Sequence, residues 1–296
     1  MIVGHQKIRQ HLQSLFEQGR FPQTNLFYGL KGSGKKMAAM ELAKQFLVHN
    51  DNTAALFANG SHPDFHLISP QASKSQSSKK SSSPGSIRTE HIQELKKSLG
   101  FPPLMGEKQV VIIDDAELMT NVTANSLLKL LEEPKPHQVF ILITSSLHDL
   151  LITIRSRAAK FYFSTLAQAE VLAIVRAQWD ASEPFDENRF DFFYRVFPGS
   201  PALIMQAMRL DFSAEQIQNL TQGHTNFLEI RHTVAQLLAK DLDLSLFLQV
   251  LRQVHLDAVV QDPTRSPTDF FAKIQNAERQ LARHISEEFV LENLFS

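Results

Sequence analysis

The chain of 296 residues is 43% hydrophobic and 21% charged, which is typical of a globular protein, and its length predicts two or three domains. Its 30 basic and 31 acidic residues nearly balance, which argues against a strongly basic nucleic-acid binder. The absence of cysteine excludes disulfides and thiolate zinc sites. No apolar run approaches the roughly 18 residues of a membrane helix, and the N-terminus lacks a signal-peptide pattern, so we expect a cytoplasmic protein without membrane contact.

The first elements in the chain predict a phosphate-binding loop. Apolar residues at helical spacing indicate a helix over residues 5–18, which ends at Gly19. A short apolar strand over residues 24–28 leads into the stretch FYGLKGSGKKM, and a second helix is predicted over residues 36–48. Strand, glycine-rich loop and helix in this order are the context in which a phosphate-loop motif carries meaning.

The glycine-rich stretch almost matches the pattern G-x-x-x-x-G-K-[ST]. Gly29, Gly34 and Lys35 fit it, Gly32 lies between them, and Lys36 stands where a serine or threonine holds Mg²⁺. Lysine has no acceptor atom for a metal and adds a positive charge where a cation is expected. The candidate phosphate-binding residues are therefore the three glycines and Lys35. Whether this degenerate loop binds nucleotide, or keeps only the scaffold, stays open at this point.

Two further segments before the middle of the chain have alternative interpretations. Residues 69–86 are rich in serine and lysine and predict a mobile loop, with a nucleic-acid-contacting arm or a phosphorylation target as alternatives. The stretch HPDFH places His62 and His66 on either side of Asp64. Two histidines without further ligands are more typical of bystanders than of a metal site, so we predict no bound metal here.

Polar residues follow two fully apolar strands. The run over residues 109–113 is followed by Asp114 and Asp115, and the run over residues 139–144 ends in Thr144. Strands that are apolar on both faces indicate a parallel sheet, whose carboxyl edge is where ligands bind. Asp114 is the candidate organiser of Mg²⁺, with an acidic helix N-terminus as the alternative. Thr144 is a candidate sensor of a γ-phosphate or a cap of the next turn.

The remaining predicted elements include both helices and a strand up to Phe163, and only helices after it. Helices are predicted over residues 89–99, 121–133 and 147–154, and a strand over residues 160–163. After Phe163 only helices are predicted, over residues 166–178, 190–197, 202–210, 214–220, 226–240 and 243–259. In the last helical pair Phe270, Ile274, Ala277 and Leu281 form one apolar stripe, which is typical of a core face.

The whole chain resembles the AAA+ clamp-loader family of the bacterial replicative DNA polymerase III. The resemblance lies in GHQKIRQHL, LFYGLKGSGKK, HPDF, VVIIDDAELMTNVTANSLLKLLEEPKPHQVFILIT, IRSRAAKF, FPGSPAL and the terminal ENLF. It implies an α/β AAA+ P-loop-type domain with a mainly parallel sheet over residues 1–163. A small helical lid over residues 164–209 and an all-α collar domain over residues 210–296, which packs against other subunits of a ring, are implied to follow.

The resemblance also implies a catalytic residue that acts outside this chain. Ser156, Arg157 and Ala158 match the family's Ser-Arg-Cys motif except at the third position. In the family this arginine enters the ATP site of a neighbouring subunit, where a guanidinium offers a permanent charge and a planar donor fork. Arg157 is therefore expected to be a trans-acting arginine finger, with a surface salt-bridge arginine as the alternative.

Several positions depart from the pattern of active family members. Lys36 replaces the metal-binding hydroxyl, and Asp115 stands where they carry the glutamate that positions water. No arginine follows the Gly199-Ser200-Pro201 turn, where a sensor of bound ATP is expected. Residues 51–60 contain none of the cysteines of the family's zinc module, so no zinc is expected. These departures imply that ATP and Mg²⁺ are bound by neighbouring subunits.

The leading interpretation is a non-catalytic structural subunit of the clamp loader. Its implied partners are the ATPase (gamma/tau) and delta subunits, the sliding clamp and, through the assembled complex, primer-template DNA. The alternative is a catalytically active AAA+ ATPase motor subunit of the same clamp loader. A stand-alone DNA-binding regulator is a third possibility, against which the balanced charge argues.

Overall fold

The computed structural model of the protein describes residues 4–70, 86–180, 183–209, 244, 246–252, 268–282, 290 and 294. The chain divides into two compact units, and the first extends to Ile174 while the second begins at Val175. The division falls within one helix, so the predicted domain limits at residues 163 and 209 stay predictions. Most of the serine- and lysine-rich segment, residues 71–85, lies outside the described residues.

A five-stranded parallel sheet forms the centre of the first unit, with the strand order β2-β3-β4-β1-β5. The strands are β1 (Thr24–Gly29), β2 (Phe65–Ile68), β3 (Gln109–Ile113), β4 (Gln138–Thr144) and β5 (Ala159–Phe163). Every residue of β3 and β4 is buried, as their continuous apolar runs predict. This sheet confirms the predicted α/β class with a mainly parallel sheet.

Helices cover both faces of the sheet. They are α1 (Gln6–Glu17), α2 (Lys35–Leu47), α3 (Asp51–Ala58), α4 (Thr89–Ser98), α5 (Asn121–Glu132) and α6 (Ile152–Arg157). Alternate residues of β3 enter different cores, because successive side chains of a strand point to opposite faces. Val110 and Ile112 pack with Leu42 of α2, whereas Val111 and Ile113 pack with Leu95 of α4 and Leu127 of α5.

One local prediction is wrong, and one helix of the structure was not predicted. The helix predicted over residues 147–154 is wrong in its first half, because Leu151 is extended (φ −54°, ψ 135°) and α6 begins only at Ile152. Leu150 is instead buried in the core, so its apolar character serves a loop. Helix α3 has no counterpart among the predicted elements. Its start at Asn50 is marked by a capping box, in which the side chains of Asn50 and Thr53 bond reciprocally to each other's backbone N–H groups.

All the secondary-structure elements that the structure describes in the second unit are helices. Helix α7 (Gln168–Gln178) crosses the division between the units and is followed by α8 (Glu187–Val196), α9 (Pro201–Met208) and α10 (Thr268–Ala282). Residues 246–252 are also helical. Ile274 and Ala277 of the predicted stripe are buried in α10. The helices predicted over residues 214–220 and 226–240 lie outside the described residues. No helix in the described ranges is long and apolar enough to cross a membrane.

Candidate functional site

The loop between β1 and α2 has the backbone of a phosphate-binding loop. Gly29, Gly32 and Gly34 have φ values of 148°, 74° and 100°, in the region that favours glycine. A Cβ atom on Gly29 would lie 2.3 Å from the Phe163 carbonyl oxygen, so a side chain does not fit there. Gly34 is the N-cap of α2 and has no side chain to bond the first N–H groups of the helix. This geometry leaves the helix N-terminus open to an anion.

The Lys35 side chain forms hydrogen bonds with the backbone of its own loop. Its Nζ donates to the Gly29 carbonyl oxygen at 2.8 Å and to the Leu30 carbonyl oxygen at 2.5 Å. The residue is only 5% exposed, and this burial lowers the pKa of Lys35 to about 8, against the opposing effect of nearby carboxylates, led by Glu117. The ammonium that would contact a phosphate chain is thus held by carbonyl oxygens of the loop.

Lys36 forms an ion pair across the carboxyl edge of the sheet. Its Nζ lies 2.9 Å from Oδ2 of Asp114, whose side chain is 15% exposed, while the Lys36 side chain is 47% exposed. An active phosphate loop would hold Mg²⁺ at this aspartate and at a hydroxyl in the position of Lys36. The residues present do not fit the metal, because lysine has no lone pair to donate and its ammonium already contacts the carboxylate.

Two further carboxylates, Asp115 and Glu117, lie at this edge of the sheet. Asp115 has a positive φ of 45° and precedes the short 3₁₀ helix Ala116–Leu118. Burial is the main cause that raises the pKa of the Asp115 carboxyl, and the negative charge of Asp114 is the second. Glu117 Oε1 accepts hydrogen bonds from the Ser145 N–H at 2.9 Å and from the Ser145 hydroxyl. Sequence reasoning missed Glu117 as a member of the site, although it follows the same strand.

Thr144 bonds to its own turn. Its hydroxyl donates to the Ser146 carbonyl oxygen at 2.8 Å and accepts from the Ser146 N–H at 3.0 Å. This contact agrees with the turn-cap alternative, and a role in sensing phosphate stays a prediction. The register of the sheet pairs Tyr28 with Thr144, so the structure places Thr144 beside the start of the phosphate loop.

His5 supports the loop from outside, a contact that sequence reasoning missed. Its Nε2–H donates to the Ser33 carbonyl oxygen at 2.7 Å, and its ring meets the Phe163 ring edge-on with centroids 5.1 Å apart. Burial lowers the pKa of His5, which favours the neutral ring. Gly4 and His5 both have positive φ, and a glycine before a helix was the available sequence signal for this unusual turn.

Arg157 lies at the opposite edge of the sheet from the loop. It ends α6, two residues before the first residue of β5, and therefore lies toward the amino ends of the parallel strands. Its Nη2 lies 2.8 Å from Glu132 Oε1, and its Nη1 donates to the Thr153 carbonyl oxygen at 2.9 Å. Ser156 donates to the same carbonyl oxygen at 3.1 Å. The Arg157 side chain is 36% exposed, which leaves it accessible.

The turn at the start of α9 has the expected form. Gly199 has a φ of 75°, Ser200 is the N-cap and Pro201 occupies the first turn. Helix α9 contains no arginine along its described length, and Ile204, in the turn after Pro201, is buried. The region where the family places a sensor arginine therefore carries apolar side chains.

The HPDF stretch stabilises a neighbouring loop. The fully buried Asp64 accepts hydrogen bonds from the Leu104 and Met105 N–H groups at 2.7 and 2.8 Å. His62 Nδ1 accepts from the Asp64 N–H at 3.2 Å, and burial lowers the pKa of His66. Across the residues that the structure describes, no cluster of three or more histidine, cysteine or acidic side chains is arranged to hold a metal ion.

Fold and site together define a phosphate-loop α/β domain of the AAA+ class. A gamma-subunit-related protein of DNA polymerase III from Thermotoga maritima has the same fold, with a TM-score of 0.51 and 16% identity over 96% of this chain and 97% of that chain. The family model described as "DNA polymerase III, delta subunit" matches residues 4–167, more than half of the chain.

The chain belongs to the delta-prime family of DNA polymerase III subunits. It is 33% identical to the delta' subunit of Bacillus subtilis, over 54% of this chain and 47% of the relative. It is 31% identical to the delta' subunit of Pseudomonas aeruginosa over 46% of this chain and 41% of that protein. The tau subunit of B. subtilis is 28% identical over 62% of this chain and 32% of its own length. The chain thus spans about half, or less, of the length of these relatives.

Proposed function

We propose that the protein is a non-catalytic structural subunit of the bacterial replicative clamp loader. Its relatives are subunits of DNA polymerase III, and its fold is the AAA+ fold of that family. In this role it helps to place the sliding clamp on primer-template DNA. Its partners are the gamma/tau ATPase subunits and the delta subunit, and any contact with DNA is made through the assembled complex.

The observation that carries this proposal is the ion pair of Lys36 with Asp114. It joins the two positions that hold the metal in an active phosphate loop. Two further departures support the proposal: Asp115 is shorter than the glutamate that positions water, and α9 carries apolar residues where the sensor arginine is expected. Catalytic geometry tolerates displacements of about 1 Å poorly, so a carboxylate withdrawn by one methylene is a serious loss.

The active role of the chain is then to supply Arg157 to the ATP site of a neighbouring subunit. Three features of Arg157 support this: its accessible guanidinium, its place at the end of a short helix, and its distance in the fold from the chain's own loop. The contacts with Glu132 and the Thr153 carbonyl oxygen hold the side chain in one orientation. Both are partly exposed and are easily exchanged for a γ-phosphate, which pairs well with the planar guanidinium.

A reconstituted ring tests the finger. Arginine fingers contribute about 10³–10⁵ in rate at the site that they complete, so Arg157→Ala should remove the turnover of one neighbouring site and lower ring ATPase by that site's share. Arg155→Ala, on the same helix, is the matched control and should leave ring ATPase unchanged. Unchanged ATPase with Arg157→Ala in a correctly assembled ring contradicts the assignment.

A catalytically active motor subunit is the second candidate, and the retained glycine geometry favours it. Gly29, Gly32 and Gly34 keep the loop backbone, and Lys35 and Asp114 keep their positions. The purified chain alone distinguishes the two. We expect no steady-state ATP turnover, whereas turnover that Lys35→Ala abolishes would establish the motor and reject the structural subunit.

A further inference from the structure

The ion pair of Lys36 with Asp114 has a consequence for metal binding. Lys36 is the second residue of α2, where an active loop carries a hydroxyl, and its Nζ lies 2.9 Å from Asp114 Oδ2. A divalent cation bound to the same carboxylate would have to lie within a few ångströms of the ammonium. Two positive charges at such a distance repel each other strongly at a partly desolvated site.

We infer that Lys36 is a built-in cation that takes the place of Mg²⁺, so that the loop excludes divalent metal. The ammonium neutralises Asp114 but offers no coordination position, whereas Mg²⁺ requires nearly octahedral oxygen ligands and gives up its water reluctantly. A nucleoside triphosphate that is coordinated to Mg²⁺ therefore gains nothing from the metal at this site. The exclusion resides in one side chain.

The rest of the loop retains the parts that hold a phosphate chain. The three glycines keep their positive φ values, and the N-terminus of α2 has no side-chain cap in the described structure. Ser33, 2% exposed, has a buried hydroxyl with no hydrogen-bond partner among the described residues. A hydroxyl residue at position 36 would free the Asp114 carboxylate and supply the missing oxygen ligand. Lys36→Thr is therefore expected to create magnesium-dependent binding of nucleoside triphosphate.

Titration of the full chain with a fluorescent, non-hydrolysable ATP analogue tests this inference. If the wild type binds the analogue, its dissociation constant should be the same within about twofold in Mg²⁺ and in EDTA; if it does not bind, Mg²⁺ should not induce binding. Lys36→Thr should bind the analogue about tenfold or more tightly in Mg²⁺ than in EDTA. Lys36→Met is the matched control, since it frees Asp114 without supplying a hydroxyl, and it should gain less than the threonine variant. Magnesium-dependent binding by the wild type overturns the inference. A folded threonine variant without any magnesium gain overturns it as well.

Mn²⁺ alone provides a second measurement that does not need a new variant at position 36. The enhancement of water proton relaxation by Mn²⁺ should be equal for the wild type and Asp114→Asn, because Asp114 is already occupied by Lys36. A loss of enhancement in Asp114→Asn would show that the wild type does bind metal there. The inference concerns the same loop as the proposed function, but its measured quantity is metal-dependent binding and not ATP turnover. Failure of the arginine finger in the ring would leave it untouched, and the two failures are thus distinguishable.

Discussion

The phosphate loop and the end of α6 use positive side chains in opposite ways. Lys35 and Lys36 bond inward, to the Gly29 and Leu30 carbonyl oxygens and to Asp114. Arg157 bonds along the surface, to Glu132 and the Thr153 carbonyl oxygen. In the first arrangement, groups of the chain itself occupy both ammonium groups, so neither needs a ligand. The second leaves a permanent charge where another molecule can reach it.

This difference agrees with the proposed function, in which the chain keeps an enzyme fold and acts at a neighbouring subunit. Contacts inside a desolvated site are strong and resist exchange, whereas exposed ion pairs contribute little and break readily. By this measure the contacts of Lys35, at 5% exposure, should resist exchange more than those of Arg157, at 36%. Three experiments can break or sharpen the comparison.

The largest expected effect is at Gly29, where the loop meets β5. Gly29→Ala places a Cβ 2.3 Å from the Phe163 carbonyl oxygen and forces an L-residue to a φ of 148°. Strain and overlap together should lower the free energy of unfolding by about 4 kcal/mol, measured by urea denaturation. Gly34→Ala is the control, because no atom beyond its chain neighbours lies within 4 Å of its added Cβ, and only the backbone strain of about 1–2 kcal/mol applies. Equal losses would show that the loop is not held against β5.

Much of this site is predictable from sequence, and the reason is topological. The apolar runs over residues 109–113 and 139–144 identify buried parallel strands, whose carboxyl ends necessarily share one edge of the sheet. The position of Asp114 and Thr144 near the glycine loop therefore follows from the order of the strands and the loop along the chain. The partner of each side chain does not follow, because a pairing such as Lys36 with Asp114 depends on distances between elements far apart in the chain.

The sequence predicts secondary structure least well where apolar residues are buried in loops and where a helix is marked mainly by the polar residues that cap its start. Leu150 belongs to a stretch with helical spacing of apolar residues, but it is buried in a loop. Helix α3 begins with a capping box, but its apolar residues show too little periodicity to predict a helix. Glu132, which orients Arg157, carries no motif beyond its place in LLEEP. Such contacts arise from packing and not from spacing.

The second experiment uses the buried charge of Lys35. Its pKa is about 8 in the folded chain, against about 10.4 in the unfolded chain. Between these values the unfolded state binds more protons, so the contribution of Lys35 to the free energy of unfolding rises with pH, by up to about 3 kcal/mol. Below pH 8 the lysine is charged in both states, and the full cost of its burial is present.

Urea unfolding from pH 7.5 to 10 measures this effect as the difference between the wild type and Lys35→Met. The methionine variant loses the hydrogen bonds to Gly29 and Leu30 at every pH, which gives a constant offset. The stability of the wild type relative to the variant should increase as the pH rises. A difference that stays flat over this range would show that Lys35 is solvated, and the contrast with Arg157 would fail.

The smallest effects are expected from the two ion pairs, and their ranking tests the comparison directly. Double-mutant cycles with Lys36→Met and Asp114→Asn should give a coupling energy of about 1 kcal/mol, since Asp114 is only 15% exposed whereas Lys36, at 47%, is partly screened by solvent. The cycle with Arg157→Met and Glu132→Gln should give about 0.5 kcal/mol, because both partners are more than one-third exposed and screened by solvent. Added salt at about 0.5 M should weaken the second pair more than the first. A stronger coupling for Arg157 than for Lys36 would mean that the arginine is fixed to its own chain, which is incompatible with a side chain exchanged to a neighbouring ATP site.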